Sequence, residues 1–322
     1  MANEFDEFLS EALPDFDEVL AAQGVDLTQR SFRAAMLIVE HCIVEIKGDT
    51  KDDYFHKAWF GSLFRAVNAW YEKRYGNAFQ QRKPSTALTV ISIFGTPFRA
   101  EVPLVINEAP LPDKTFWLCF PIAVMPNEEH MNWVISPPNF DSSTDGDREA
   151  ASLALIEAGT HLRATHVNVM TADHETERTR SLAQGIIPHL EKGALDIVRS
   201  EPNGRSIAVW ELNFACEKAI KTFLRQQQLD PPNTHDVHRL HKMATDYFGP
   251  NEMDSAVAVL PSEKVAVKHR YAELPSPSLA DVLSIYRAAL RISAGYSQKL
   301  TRKYTFNNAK FQLKMPPWLD KV

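Results

Sequence analysis

Residues 206–245 read SIAVWELNFACEKAIKTFLRQQQLDPPNTHDVHRLHKMAT, and here spacing, composition and punctuation agree. Apolar side chains recur at Leu212, Ala215/Cys216, Ala219/Ile220 and Phe223/Leu224, the three-and-four spacing of one helix face. Glu217, Lys218, Lys221 and Arg225 fall off that stripe. Pro231-Pro232 obliges the helix to stop, because proline lacks an amide donor and restricts the residue before it. Asn233 or Thr234 is then expected to cap a second helix, with Asp236 in its first turn facing the positive end of the dipole. Val237, Leu240 and Ala244 form the apolar side of that helix, and Gly249-Pro250 ends it. Two amphipathic helices joined by so short a connection are expected to pack antiparallel.

Three groups of residues, Ala215-Cys216-Glu217-Lys218-Ala219-Ile220-Lys221, the Pro-Pro-Asn-Thr-His-Asp linker and the Val-His-Arg-Leu helix start, resemble the HEPN family of small helical bundles. Lys268-His269-Arg270-Tyr271 and the helix from Ser278 resemble that family's closing portion, so the likeness spans about residues 205–302. It implies RNA or a nucleotide as the class of partner, and a prokaryotic defence or toxin–antitoxin setting, phage defence included. It also implies a tendency to homodimerise or to serve as a partner subunit. Members of the family that cleave RNA carry an Arg followed, after four to six residues, by a catalytic His. No His here has an Arg at that distance upstream: Arg270 is followed by YAELPSPS, Arg163 and His166 have two residues between them, and Arg33 and His41 have seven. The expectation is therefore a non-catalytic protein that binds RNA, a nucleotide or a protein partner. The alternative is an RNase with a non-standard site.

Bulk numbers agree with an ordinary globular chain: 322 residues, 44% hydrophobic and 24% charged, long enough for two cores. Cys42, Cys119 and Cys216 lie far apart, which points to a reduced compartment, no disulfide framework and no cysteine zinc site. The acidic N-terminus MANEFDEFLSEALPDFDEV has no signal-peptide pattern, and no apolar run is long enough to span a membrane. A cytoplasmic location is expected. Charge is asymmetric. Residues 1–204 carry 18 Lys/Arg against 30 Asp/Glu, whereas residues 205–302 carry 13 against 10. Any polyanion is thus expected on the C-terminal third.

The fold class read from the pattern is α+β. Residues 1–204 are expected to form a mixed helical and antiparallel-sheet domain, residues 205–302 a HEPN-like bundle of four or five helices, and residues 303–322 a tail packing on the body or a partner. Residues 1–27 read as a short helix or arm. Helices follow from Ser31 to Ile46 and from Asp53 to Tyr75, the latter with an aromatic stripe that is either core or a base-stacking platform. Thr86–Phe94, Phe98–Ile106, Lys114–Val124 and Asn132–Ser136 read as strands of one sheet packed on the first helices. A helix from Asp147 to Leu162, a strand at His166–Met170, a helix over Glu175–Leu190 and a linker at Ser200–Gly204 complete that part. Ser278, three residues before Asp281, signals the N-cap of the last helix.

The candidate acid–base residues are His235 and Arg270. Candidate ligand or phosphate contacts are Glu217, Lys218, Lys221, Asp236, Arg239 and Tyr271. Glu217 and Lys221 at i,i+4 are equally an ordinary surface ion pair worth about 0.3–0.5 kcal/mol. His235, His238 and His241 have a spacing that brings two imidazoles toward one metal, but no Glu in the zincin position and no nearby Cys supports it, so no metal and no cofactor is expected. Asp141-x-Ser143-x-Asp145-Gly146 imitates half a calcium loop, yet Ser152 stands where the bidentate Glu belongs; a surface turn feeding a helix is expected.

Overall fold

Every helix here must bury one face and cap its ends, and the burial pattern shows which elements share a core. A computed structural model describes residues 4–80, 85–108, 115–141, 144–199, 201, 203–250, 252–306 and 308–314. Ser143 of the calcium-like loop, Pro202 in the expected linker and the Pro316-Pro317-Trp318 end of the tail lie outside the described residues. The chain divides into two compact units: residues 1–84, 110–116 and 313–322 form one, and 85–109 with 117–312 the other.

In the first unit the expected short N-terminal helix or arm is the 19-residue helix α1 (Glu4–Ala22). Helix α2 (Leu27–Leu37) follows, capped by Asp26, whose carboxylate accepts from Thr28 N, and runs into a π-turn at Ile38–Cys42. Helix α3 (Ala58–Tyr75) ends at Gly76, where φ is 52°, and a single turn, α4 (Asn77–Gln80), comes after it. The aromatic stripe is core: Phe60, Val67 and Tyr71 are buried, and Phe32 meets Phe60 and Phe64 edge to ring. Asp17, buried on α1, accepts from Arg30 and Tyr75 and so ties the three long helices together.

The second unit opens with a hairpin of β1 (Thr86–Ile93) and β2 (Thr96–Pro103), paired from Thr86↔Pro103 to Ile93↔Thr96. Phe94 and Gly95 close it with φ of 53° and 73°, the two left-handed residues that a two-residue turn on twisted strands demands. Strands β3 (Ile106–Asn107), β4 (Thr115–Cys119) and, near the C-terminus, β5 (Lys310–Lys314) form a separate three-stranded sheet in that order. The region expected as a strand at 132–136 is instead a 3-10 turn, His130–Trp133, with one bridge from Val134 to Ala100.

Among the described residues the helices after α4 are α5 (Asp145–Thr171), α6 (Glu177–Gln184), α7 (Ile186–Val198), α8 (Gly204–Gln226), α9 (Val237–Phe248), α10 (Asp254–Val257) and α11 (Glu263–Arg270). Helix α12 (Leu279–Gln298) is the last. The strand expected at His166–Met170 is the end of α5. Its Val167 and Asn168 are buried with Leu162 and Thr171, so this end of the helix shows no clean amphipathic period and its β-branched letters mislead. Thr144 and Asp147 form a full capping box at its start, the turn expected before this helix. Likewise Ser278 accepts from Asp281 N at the head of α12.

Helix α8 is the axis of this unit. Ala208, Leu212, Ala215, Cys216, Ile220 and Leu224 are fully buried, and it packs most extensively against α7 and α12. Gly193 of α7 lets the two backbones close up: a Cβ there would meet Leu212 Cδ2 at 2.7 Å. The hairpin, expected on the first helices, packs on α5 and α7, and Ala87, Val90, Val102 and Leu104 join the same core as α8 and α12. Residue 204, the expected boundary, therefore falls within one core.

Helix α8 stops at Gln226, five residues before the prolines. Gln228 is left-handed (φ 59°), Leu229 N donates to Leu224 O and Gln228 N to Arg225 O, the paired bonds of a Schellman turn. The chain then runs back along α8. His235, just ahead of α9, sits at Asn213 and Glu217, while Tyr247 and Phe248 at the far end of α9 meet Gln227 and Phe223. The two helices therefore run in the same sense, not antiparallel as expected. The physical reason is linker length. Some ten extended residues reach about 30 Å, more than the roughly 20 Å of helix from Gln227 back to Asn213. The N-cap of α9 is Asp236, accepting from Arg239 N, and not Asn233 or Thr234.

A candidate RNA-facing site on helix α8

Trp210, Phe214, Glu217, Lys218 and Lys221 follow one another at helical spacing, so α8 presents them along one side. The rings of Trp210 and Phe214 stack with centroids 5.9 Å apart. His235 is delivered to this stripe by the returning linker, and its ring stands edge-on to Trp210 at 5.3 Å and to Phe214 at 5.9 Å.

The linker is pinned at four points, three of them on its backbone. Lys221 Nζ donates to Thr234 O (2.8 Å), Asn213 Nδ2 to His235 O (3.2 Å), and Glu263 Oε1 accepts from His235 N (2.9 Å) and Thr234 Oγ1 (3.2 Å). The Glu217 carboxylate then divides its oxygens between Lys221 Nζ (2.7 Å) and His235 Nδ1 (2.8 Å). Glu217 is 5% exposed and Lys221 12%, so the pair expected on the surface lies inside a hydrogen-bonded network. The imidazole itself is 45% exposed. Nδ1 is taken by Glu217, and Nε2 has no partner among the described residues.

A second histidine escaped the sequence reading. His189 of α7 lies 4.7 Å from the Phe214 centroid, and its Nδ1 is 2.7 Å from Glu211 Oε2. Lys192 reaches Glu211 at 3.1 Å and Asp196 at 2.8 Å. Burial pushes the Glu211 carboxyl up, but hydrogen bonds from His189 and Lys192 outweigh it and hold the group below the usual carboxylate range. Burial likewise lowers Lys192, and the bonds to Asp196 and Glu211 reverse that. Two imidazoles, each oriented by a carboxylate, thus flank the half-buried ring of Phe214, while Trp210 beneath it is buried. The signal for the second pair is a contact between two helices, His189 with Glu211, which no local pattern announces.

Cations surround the rings. Lys218 Nζ lies 4.9 Å from the Phe214 centroid and Arg270 Cζ 4.7 Å from that of Trp210, with Tyr271 on Arg270's other contact at 5.5 Å. Arg270 and His235 thus meet on one indole. Asp236 is spent on its cap, and among the described residues no side-chain bond joins Arg239 to the cluster. The three histidines of α9 and its approach separate: His238 bonds Leu260 O at 3.1 Å, and His241 bonds Tyr296 and Asp254 at 2.7 and 2.9 Å. Among the described residues no group of His, Cys, Asp or Glu can hold a metal ion, and all three cysteines are free thiols.

A helix pair of this wording, with its closing helix α12, is what a family comparison identifies. Residues 201–294 match the HEPN domain. The match takes in α8 to α11 and most of α12, and no family matches the N-terminal region. His189 and Lys192 therefore reach the HEPN domain's stripe from a helix outside it. Neither the comparison with curated proteins nor that with solved structures found a match. A HEPN domain is compatible with an RNA-related or defence role, and among the described residues no helix is long and apolar enough to cross a membrane.

Proposed function

We propose that the HEPN domain binds single-stranded RNA along α8, in the cytoplasm and as a non-catalytic member of a defence or toxin–antitoxin assembly. The observation that carries this reading is the Trp210–Phe214 stack, with the half-buried Phe214 ring outermost and Lys218, Arg270, His189 and His235 around the pair. Aromatic edges supply stacking for bases of any sequence, and the cations track phosphates. The chain acts as a homodimer or beside a partner subunit; a monomeric mass in light scattering would remove the homodimer, and the absence of a co-purifying second chain would remove the partner subunit.

One specific observation favours a second reading, RNA cleavage: both imidazoles have a carboxylate behind them. In that chemistry one His takes the proton of a ribose 2′-hydroxyl as its oxygen attacks the adjacent phosphorus. The other gives a proton to the departing 5′-oxygen, and Lys218 or Arg270 faces the charge on phosphorus. No metal is needed.

The test is fluorescence anisotropy and gel analysis of end-labelled RNA with wild type, His235→Ala, His189→Ala and Arg270→Ala, with and without EDTA. Intact RNA whose binding weakens in Arg270→Ala supports the binding module. EDTA-resistant cleavage lost in either His variant establishes the nuclease instead. RNA that neither binds nor breaks sinks both.

A further inference from the structure

A cleft of about 540 Å³ opens beside α5 and α12, within the second unit. Ala164, Ala294 and Gly295 line it with little side-chain bulk, and His161, Arg291 and Arg302 bring its polar chemistry. Its volume falls inside the range of about 300–1,000 Å³ typical of small-molecule sites. Glu252 is the one carboxylate among its described lining residues, so guanidinium outnumbers carboxylate.

Two polar groups of the wall are already engaged: Thr160 Oγ1 accepts from Val124 N at 3.3 Å, and Asn168 Nδ2 donates to Ser297 Oγ at 3.3 Å. Arg291 and one ring nitrogen of His161 are not. Arg291 is exposed and makes no ion pair or hydrogen bond among the described residues. His161 Nδ1 is buried with no hydrogen-bond partner, a condition that native interiors rarely leave unanswered. Burial pushes the His161 imidazole down, with Glu157 opposing and the Arg291 charge assisting, so at neutral pH the ring is uncharged and able both to donate and to accept. Arg302 stands on backbone fixed by its bridge to Ala172.

We propose that this cleft binds a small organic phosphomonoester, its phosphate held by Arg291 and Arg302 and its polar body hydrogen-bonded by His161. Guanidinium forks match the oxygens of a phosphate, and the low-bulk wall leaves room for a ring of sugar size beside it. The site is independent of the α8 stripe, using none of its side chains.

Isothermal titration of the full chain with ribose 5-phosphate, inorganic phosphate and ribose tests it. Ribose 5-phosphate is expected to bind, more tightly than inorganic phosphate, and ribose to give no heat. Arg291→Gln should weaken ribose 5-phosphate by about tenfold or more, with unchanged melting and unchanged RNA affinity. Arg291 is exposed, so its replacement leaves the core intact, and Arg302→Gln provides the second variant. No heat with ribose 5-phosphate, equal affinity for inorganic phosphate, or full affinity in both variants overturns the proposal. Because RNA affinity is measured on the same samples, failure here and failure of the RNA reading are told apart.

Discussion

Glu128 and Glu217 both hold a cation inside the second unit, yet they leave their partners in opposite conditions. Arg163, opposite Glu128, is 0% exposed. Its donors go to Pro103 O, Ala123 O and both oxygens of Glu128, at 2.6–3.0 Å, with Trp133 across its face at 5.1 Å. His235, opposite Glu217, is nearly half exposed and keeps one ring nitrogen unengaged. The first pair joins β2, the loop before the 3-10 turn and α5. The second anchors a side chain at the surface and leaves it one free valence. A buried carboxylate contact whose partner is answered wholly from within serves the fold; one whose partner keeps an open edge is available to a ligand.

That contrast can be broken by experiment. Glu128→Gln leaves Arg163 buried and uncompensated, and should cost about 3–5 kcal/mol in urea denaturation. The double variant Arg163→Met/Glu128→Gln should cost less than Glu128→Gln alone, because no charge is then stranded. A loss under about 1 kcal/mol for the single variant would abolish the distinction.

Acid sharpens it. Burial pushes the Glu128 carboxyl up, but Arg163 and the Met125 amide outweigh burial and hold it below its ordinary value. A carboxyl depressed in the folded state contributes stability above its unfolded pKa of about 4.3, and that stability is lost as pH falls through the folded value. Wild-type unfolding free energy should therefore drop from about pH 5 downward, with a shallower drop in Glu128→Gln. Equal slopes for the two proteins would show that this carboxylate does not carry the acid sensitivity.

On the open side the expected effects are smaller and fall on binding. Phe214→Ala should weaken single-stranded RNA by about 1–3 kcal/mol, the value of one stacked base, with less damage to stability than Glu128→Gln. An RNA affinity equal to wild type would detach the aromatic pair from the ligand. Lys218→Gln should change least, making the plot of log affinity against log salt shallower by about 0.7 for one phosphate contact removed. An unaltered slope would place Lys218 off the RNA path.

Much of α8 was legible because its periodic residues are the ones that vanish into the core, from Leu212 to Leu224. The cap at Ser278 was legible too, since capping is chemistry between near neighbours, and so was a turn before α5, though not Thr144 as its cap. What stayed hidden was decided at long range. The end of α5 has several buried sides, so HVNVM shows no helical period. The direction of α9 depends on a left-handed Gln228, a residue type with no special claim to that conformation. Of the candidate site, His235, Glu217 and Lys221 do converge and Arg270 joins them through Trp210. His189 was invisible because its partners lie on the next helix.

The returning linker has one more implication. Between Gln226 and Val237 the chain retraces the length of α8, held by Lys221, Asn213 and Glu263. The number of residues in it works as a ruler: adding or removing one beyond Pro232 would slide the imidazole off Glu217 while α8 and α9 kept their own cores. Chain length, not only side-chain identity, is thus a parameter through which this surface can be retuned.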